Sequence, residues 1–122
     1  MAQGLPARYD LITAFDVLHD SADPPAMLRA VRQALEPGGT FLCLEINCAD
    51  TLEQNLGPLG ALFYGFSVLL CMTTSLSQGG AALGTLGLPE SRLRALATEA
   101  GFGSVERLPL ENPFNTLYEL HP

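Results

Sequence analysis

The polar chemistry of this chain is concentrated behind one apolar run. Tyr9 to Phe15 (YDLITAF) is followed at once by Asp16, His19, Asp20, Ser21 and Asp23. His19 can take a proton from a hydroxyl group, because an unperturbed imidazole titrates near ~6.5. The same ring equally suits closing a pocket or capping the following helix, and Asp16 equally suits capping its own loop. A second apolar run, Thr40 to Ile46 (TFLCLEI), ends in Glu45 and runs into Asn47. Asp16, Glu45 and Asn47 carry the oxygen ligands that a hard cation such as Mg²⁺ prefers, provided the two runs end side by side.

Other conspicuous residue types point to less. The three cysteines, Cys43, Cys48 and Cys71, show no CxxC or zinc-type spacing with His19 or His121, so buried free thiols in a reducing compartment are expected. The small-residue segment from Gly79 to Gly87 (GGAALGTLG) is glycine-rich, but it neither follows a strand nor opens a helix with GxGxxG spacing. It is read as a flexible connection rather than a phosphate loop.

The elements that must position these residues follow from pattern. Tyr9 to Phe15 reads as a buried strand ending in a loop. Asp23 is placed as an N-cap with Pro24 at the first helical position, and Met27, Leu28, Val31 and Leu35 follow at helical spacing until Pro37, Gly38 and Gly39 stop the helix. Thr40 to Ile46 is a second run without alternation. Two such strands joined by one amphipathic helix predict a parallel pair with both faces covered, which is one unit of a doubly wound α/β sheet. Next, Leu59, Leu62, Phe63, Phe66, Leu69 and Leu70 repeat at spacings of three and four, predicting an inserted helix at about 56–74 whose one strongly apolar face packs over the site or against another subunit. A further helix is expected from Pro89, with Leu93, Leu96, Ala97 and Ala100 inward, Gly101 as its left-handed stop and Phe102 closing its end. Ser104 to Leu110 and Asn115 to Leu120 are predicted as an antiparallel hairpin. Sites in open α/β sheets lie at the C-terminal ends of the parallel strands. That puts Phe15, Asp16, Val17, Leu18, His19 and Asp20 on one lip, with Glu45, Ile46 and Asn47 on the next.

Composition bounds the function. The chain has 122 residues, 48% of them hydrophobic and 16% charged, which suits one globular domain over 1–122. The formal charge is −7 and all six basic residues are Arg, with no cluster of them, so nucleic-acid binding through this chain is not expected. From Gln54 to Pro89 no residue is charged, yet Gly57, Pro58, Gly60 and Gly65 interrupt the stretch and its flanks are acidic, so no membrane span is expected. The start, Met1 to Pro6, has neither a basic segment nor an apolar run, and a cytoplasmic location is the expectation.

The order YDLITAFDVLHD, LEPGGTFLCLE, ESRLRALATEAGF and a closing strand pair resembles the second half of class I S-adenosylmethionine-dependent methyltransferases, from their fourth strand to their seventh. DTLEQNLGPLGALFYGFSVLLCMTTSLSQGGAALG and ENPFNTLYELHP are similar to a bacterial subgroup of small-molecule methyltransferases that carry a winged-helix domain ahead of the catalytic one. The resemblance implies an α/β fold. It is a partial Rossmann-like, doubly wound sheet of two parallel strands plus a C-terminal antiparallel hairpin, with flanking helices. It implies transfer of a methyl group from S-adenosylmethionine to a small-molecule acceptor once the Gly-rich strand and turn of the other half complete the site. The alternative is a non-catalytic dimerisation or partner-binding module built on that fold.

By the same resemblance, Phe15 and Asp16 meet the cofactor's amino acid end, while Val17 and His19 border its sulfur or the acceptor pocket. His19 is the catalytic candidate, and Asp20, Asn47, Tyr64, Gln78 and Asn115 are the acceptor contacts. Catechol-type relatives hold Mg²⁺ with an acidic pair that Glu45-Ile46-Asn47 does not match, so no metal is expected. Without the family's first strand beside it, Leu11 to Phe15 exposes a strand edge. Self-association into a homo-oligomer or docking of a complementary N-terminal half is therefore expected, with cofactor binding by this chain alone weak or absent.

Overall fold

A computed structural model describes residues 4–122 of the chain. The reading of a leader-free start rests partly on residues 1–3, which lie outside the described residues. The elements are β1 (Tyr9–Phe15), α1 (Pro24–Ala34), β2 (Leu35–Ile46), α2 (Pro58–Phe66) running through a π-helical turn (Ser67–Cys71) into α3 (Met72–Ser77), α4 (Glu90–Ala100), β3 (Ser104–Leu108) and β4 (Asn115–His121). They build one four-stranded sheet in the order β1-β2-β4-β3. β1 and β2 are parallel, and β4 lies antiparallel between β2 and β3.

The start of α1 follows its sequence signals. The Asp23 carboxylate accepts from the Ala26 N–H at 2.9 Å, and prolines occupy the first turn, where no N–H is needed. The end differs. Leu35 is already extended, because Pro37 restricts Glu36 to extended backbone and the chain straightens ahead of it. Leu35 pairs with Tyr9 and Thr40 with Leu11, so the residues between them bulge out before regular pairing begins at Thr40, where the strand is predicted to start. α4 ends as expected at Gly101, with φ of 92°, and Phe102 closes it by stacking on Phe41 at 6.1 Å between centroids.

The sheet is covered on one face only, which corrects the expectation of two covered faces. Phe41, Cys43 and Glu45 of β2 and Thr116, Tyr118 and Leu120 of β4 are buried, and with Leu28, Val31, Leu93 and Ala97 of α1 and α4 they form the core. Leu42, Leu44 and Leu117, alternating with them, are only half-buried. β1 is an edge strand, and Leu11 and Phe15 on it are exposed, so it is not the buried strand its composition predicts.

The inserted helix forms close to its expected place, and within the chain it buries a face other than its most apolar one. The helical run Pro58–Ser77 is longer than the predicted segment, and by length and composition alone it is apolar enough to cross a membrane, with a mean hydropathy of 1.7. Its buried residues are Phe63, Ser67, Cys71 and Ser75, one per turn, whereas Leu62, Phe66, Leu69 and Leu70 are exposed. The face chosen for burial is the small, polar one, because it meets the glycine-rich segment that follows. The hydroxyls of Ser75 and Ser67 accept from the Ala82 and Thr85 N–H groups at 3.0 and 3.1 Å, and the Ala81 N–H donates to the Ala22 carbonyl at 2.9 Å. Gly79 to Gly87 is thus a strap fastened along the helix rather than a loose connection. Gly84 sits at φ of 77°, and a Cβ there would run into the Ser67 hydroxyl.

Candidate functional site

β1 ends in a backbone conformation unusual for a residue with a side chain. Asp16 has φ of 51°, its N–H donates to the Leu44 carbonyl at 2.8 Å, and its carboxylate accepts from the Asn115 side-chain amide at 2.8 Å. Left-handed backbone at a non-glycine residue is retained where surrounding contacts enforce it, and such residues gather at functional sites. Here the first strand end is tied to the start of β4 across 99 residues of sequence.

Immediately beyond it lies a buried ionisable pair. His19 is 4% exposed and Glu45 1%. Glu45 accepts from the Leu18 N–H at 2.8 Å and from His19 Nδ1 at 2.6 Å, so a carboxylate of β2 fixes both the turn after β1 and the orientation of the ring. The acceptor at Nδ1 makes this nitrogen the protonated one and turns Nε2 toward Asp20, whose Oδ1 is 3.3 Å away. Burial on its own lowers the His19 pKa. The hydrogen bond to Glu45 and the charges of Glu45, Asp20 and Asp16 together outweigh it, and the net direction is upward from the ordinary imidazole value.

The remaining candidate residues divide between places. Val17, Asp20 and Gln78 line one open cavity of about 890 Å³ beside the N-terminus of α1. Phe15, exposed, and Asp16 with Asn115 form the adjoining strand-end lip. Asn47 lies just past the end of β2 against β4, where its side chain accepts from the Thr116 hydroxyl at 3.2 Å and donates to the Pro113 carbonyl at 3.4 Å. It borders a separate polar recess of about 430 Å³ with Gln54, Glu90 and Arg107. Tyr64 borders a third, of about 330 Å³, with Asp50 and Arg92, and does not meet Gln78.

The oxygen set weighed for Mg²⁺ is committed elsewhere: Asp16 to Asn115, Glu45 to Leu18 and His19, and Asn47 to Pro113 and Thr116. Glu45, expected on the second lip, turns out to be the partner of His19, and one further participant escaped the sequence reading. Glu45 is an acidic residue inside an apolar strand, a signal that a buried partner exists without saying which. Cys71 is brought against His19 and Asp20, its ligand atom within 4.8 Å of theirs. The only trace of that in sequence is a helical spacing of four between Phe63, Ser67, Cys71 and Ser75.

Parallel strands ending in a polar lip, with a crossover helix and a closing antiparallel pair, define a Rossmann-like α/β fold. A profile of the methyltransferase domain family matches residues 2–106, and this chain belongs to that family. It corresponds to the C-terminal half of a class I domain. Over 50 residues, 41% of this chain but 2% of the relative, it is 42% identical to highly reducing polyketide synthase 2 of Gibberella zeae. Among solved structures, the methyltransferase (CMeT) domain of the citrinin polyketide synthase superposes with a TM-score of 0.69 at 16% identity, over 98% of this chain and 30% of that one. PigF, solved with S-adenosylhomocysteine (SAH), gives 0.64 at 23% identity over 97% of this chain and 32% of that one. The chain therefore spans about a third of each of those structures.

Proposed function

We propose that this chain supplies the acceptor-side lip of a site that moves a methyl group from S-adenosylmethionine to a small organic acceptor, a complementary half supplying the rest. The observation that carries the reading is the strained, doubly anchored end of β1. Asp16 is held by Asn115 and Leu44, and His19 by Glu45, both opening beside the cavity of Val17, Asp20 and Gln78. Methyl transfer is a displacement for which the cofactor brings the reactivity and the protein brings alignment, so a rigid lip is what the chemistry asks for. The bound demethylated product in PigF and the polyketide synthase relatives support the cofactor and a small-molecule acceptor.

Phe15, Asp16, Val17 and His19 take the cofactor side, and Asp20, Gln78 and Asn115 the acceptor side, with Tyr64 and Asn47 further out. Of the two roles open to His19, orientation of the lip fits its burial better than proton acceptance from the substrate. The half-buried Leu42, Leu44 and Leu117 and the open edge of β1 are where a complementary half docks, in the cytoplasm.

Calorimetry with SAH tests this. Heat of binding is expected to be weak or absent for this chain alone. It is expected at micromolar strength once the chain is mixed with a strand–turn–strand half from a family member. Absence of binding in both samples contradicts the reading.

A further inference from the structure

We propose that His19 Nε2, Asp20 Oδ1 and Cys71 Sγ form a binding site for a divalent transition metal of the zinc class, held in shape by Glu45 and Thr85. The three atoms all lie within 4.8 Å of one another, and they come from the turn after β1 and from the π-helical turn between α2 and α3. An imidazole, a carboxylate and a thiolate are a donor set that suits Zn²⁺ or Co²⁺ and does not suit Mg²⁺. Two ligand atoms at about 2.0–2.1 Å from a tetrahedral zinc stand roughly 3.3 Å apart. His19 Nε2 and Asp20 Oδ1 are 3.3 Å apart.

Two further observations point to a cation. Asp20 Oδ1 is buried and, among the described residues, is the one side-chain atom so buried that has no hydrogen-bond partner, even though Nε2 is close. A buried carboxylate oxygen needs a positive partner; the His19 ring stands 3.3 Å away without a well-formed hydrogen bond, and a metal ion bound to both groups would meet the oxygen at bonding distance. Each of the other two ligands has a supporting partner: His19 Nδ1 bonds Glu45 at 2.6 Å, and Cys71 Sγ lies 3.0 Å from the Thr85 hydroxyl, which can donate to a thiolate. Carboxylate–histidine pairs of this kind set the tautomer that leaves Nε2 free to ligate. Asp20 also lines the large open cavity, which gives an ion a way in and leaves a fourth position for water.

The inference is independent of the proposed methyl transfer, since metal binding needs neither cofactor nor acceptor. Metal entry displaces the Cys71 thiol proton and any proton on Nε2, so binding must acidify an unbuffered solution. The test is a titration of the chain with Co²⁺. One equivalent is expected to bind with a thiolate-to-cobalt charge-transfer band, proton release, and displacement of the band by Zn²⁺. Cys71→Ser is expected to abolish the band. Asp20→Asn, at a half-exposed side chain, and Thr85→Val are each expected to weaken binding by about 10-fold or more. Cys48→Ser and His121→Ala are expected to leave it unchanged, with circular dichroism showing each variant folded. Absence of the band, its survival in Cys71→Ser, or full affinity in Asp20→Asn overturns the proposal. So does loss of binding in Cys48→Ser.

Discussion

The sheet with α1 and α4 and the helical run Pro58–Ser77 obey opposite rules. In the first, apolar side chains are inside: Phe41, Leu28, Leu93 and Leu120 are fully buried against one another. In the second, Leu69 is 80% exposed while Ser75 is not exposed at all. The difference lies in what each element has to meet. The strands meet two amphipathic helices, so area removed from water decides their orientation. The inserted helix meets a strap of backbone whose N–H groups need acceptors; Ser67 and Ser75 supply them where leucine cannot, and Cys71 pairs with the Thr85 hydroxyl. Hydrophobicity thus orients the body, and hydrogen bonding orients the helix. The apolar face of the helix is left outward, as is the second face of the sheet.

The comparison can be broken at several points. The largest effect is expected in the body, where Phe41→Ala removes a fully buried ring stacked on Phe102 and should cost about 3–5 kcal/mol in urea unfolding. An equal loss from Leu69→Ser would show that the exposed helix face is packed after all. In fact that substitution is expected to change stability by less than about 0.5 kcal/mol. Between these lies the strap. Gly84→Ala meets both a positive φ and the Ser67 hydroxyl and should cost about 1–3 kcal/mol, with helix amides near Ser67 and Cys71 losing hydrogen-exchange protection before those of β2. The last is the pH dependence contributed by His19. Its pKa is raised on folding, so its contribution to stability is fully present below the unfolded value near ~6.5. It fades as pH rises through the folded value. Unfolding free energies measured from pH 5 to 9 in the metal-free chain check the sign, and in a Glu45→Gln variant that slope should shrink.

Much of the body was legible in the sequence because local signals and burial agreed there. Asp23 with Pro24 starts a helix wherever an apolar stripe follows, Gly101 ends one, and the stretch between the last two strands is short enough to demand a hairpin. The insertion of β4 between β2 and β3 was not legible, because the Ser104 to Leu110 and Asn115 to Leu120 patterns fix pairing with each other and say nothing about the third neighbour. Coverage of one sheet face escaped for a related reason: in TFLCLEI both Leu42 and Phe41 are apolar, and only their neighbours in space distinguish them. Of the candidate site, the lip from Phe15 to Asp20 follows from strand-end geometry. Its fixing by Glu45 and Asn115 depends on contacts spanning 26 and 99 residues, which no window of sequence contains.

The central claim is that ligand recognition resides in the lip after β1 and not in the recesses around Glu90 or Tyr64. Amide-resolved NMR of the labelled chain, mixed with the complementary half and then titrated with SAH, addresses it most directly. Shifts are expected at Asp16, Val17, His19 and Asn115, with Glu90, Arg107 and Tyr64 unmoved. Shifts centred on Glu90 and Arg107, with the amides of Asp16 to His19 silent, would contradict the account.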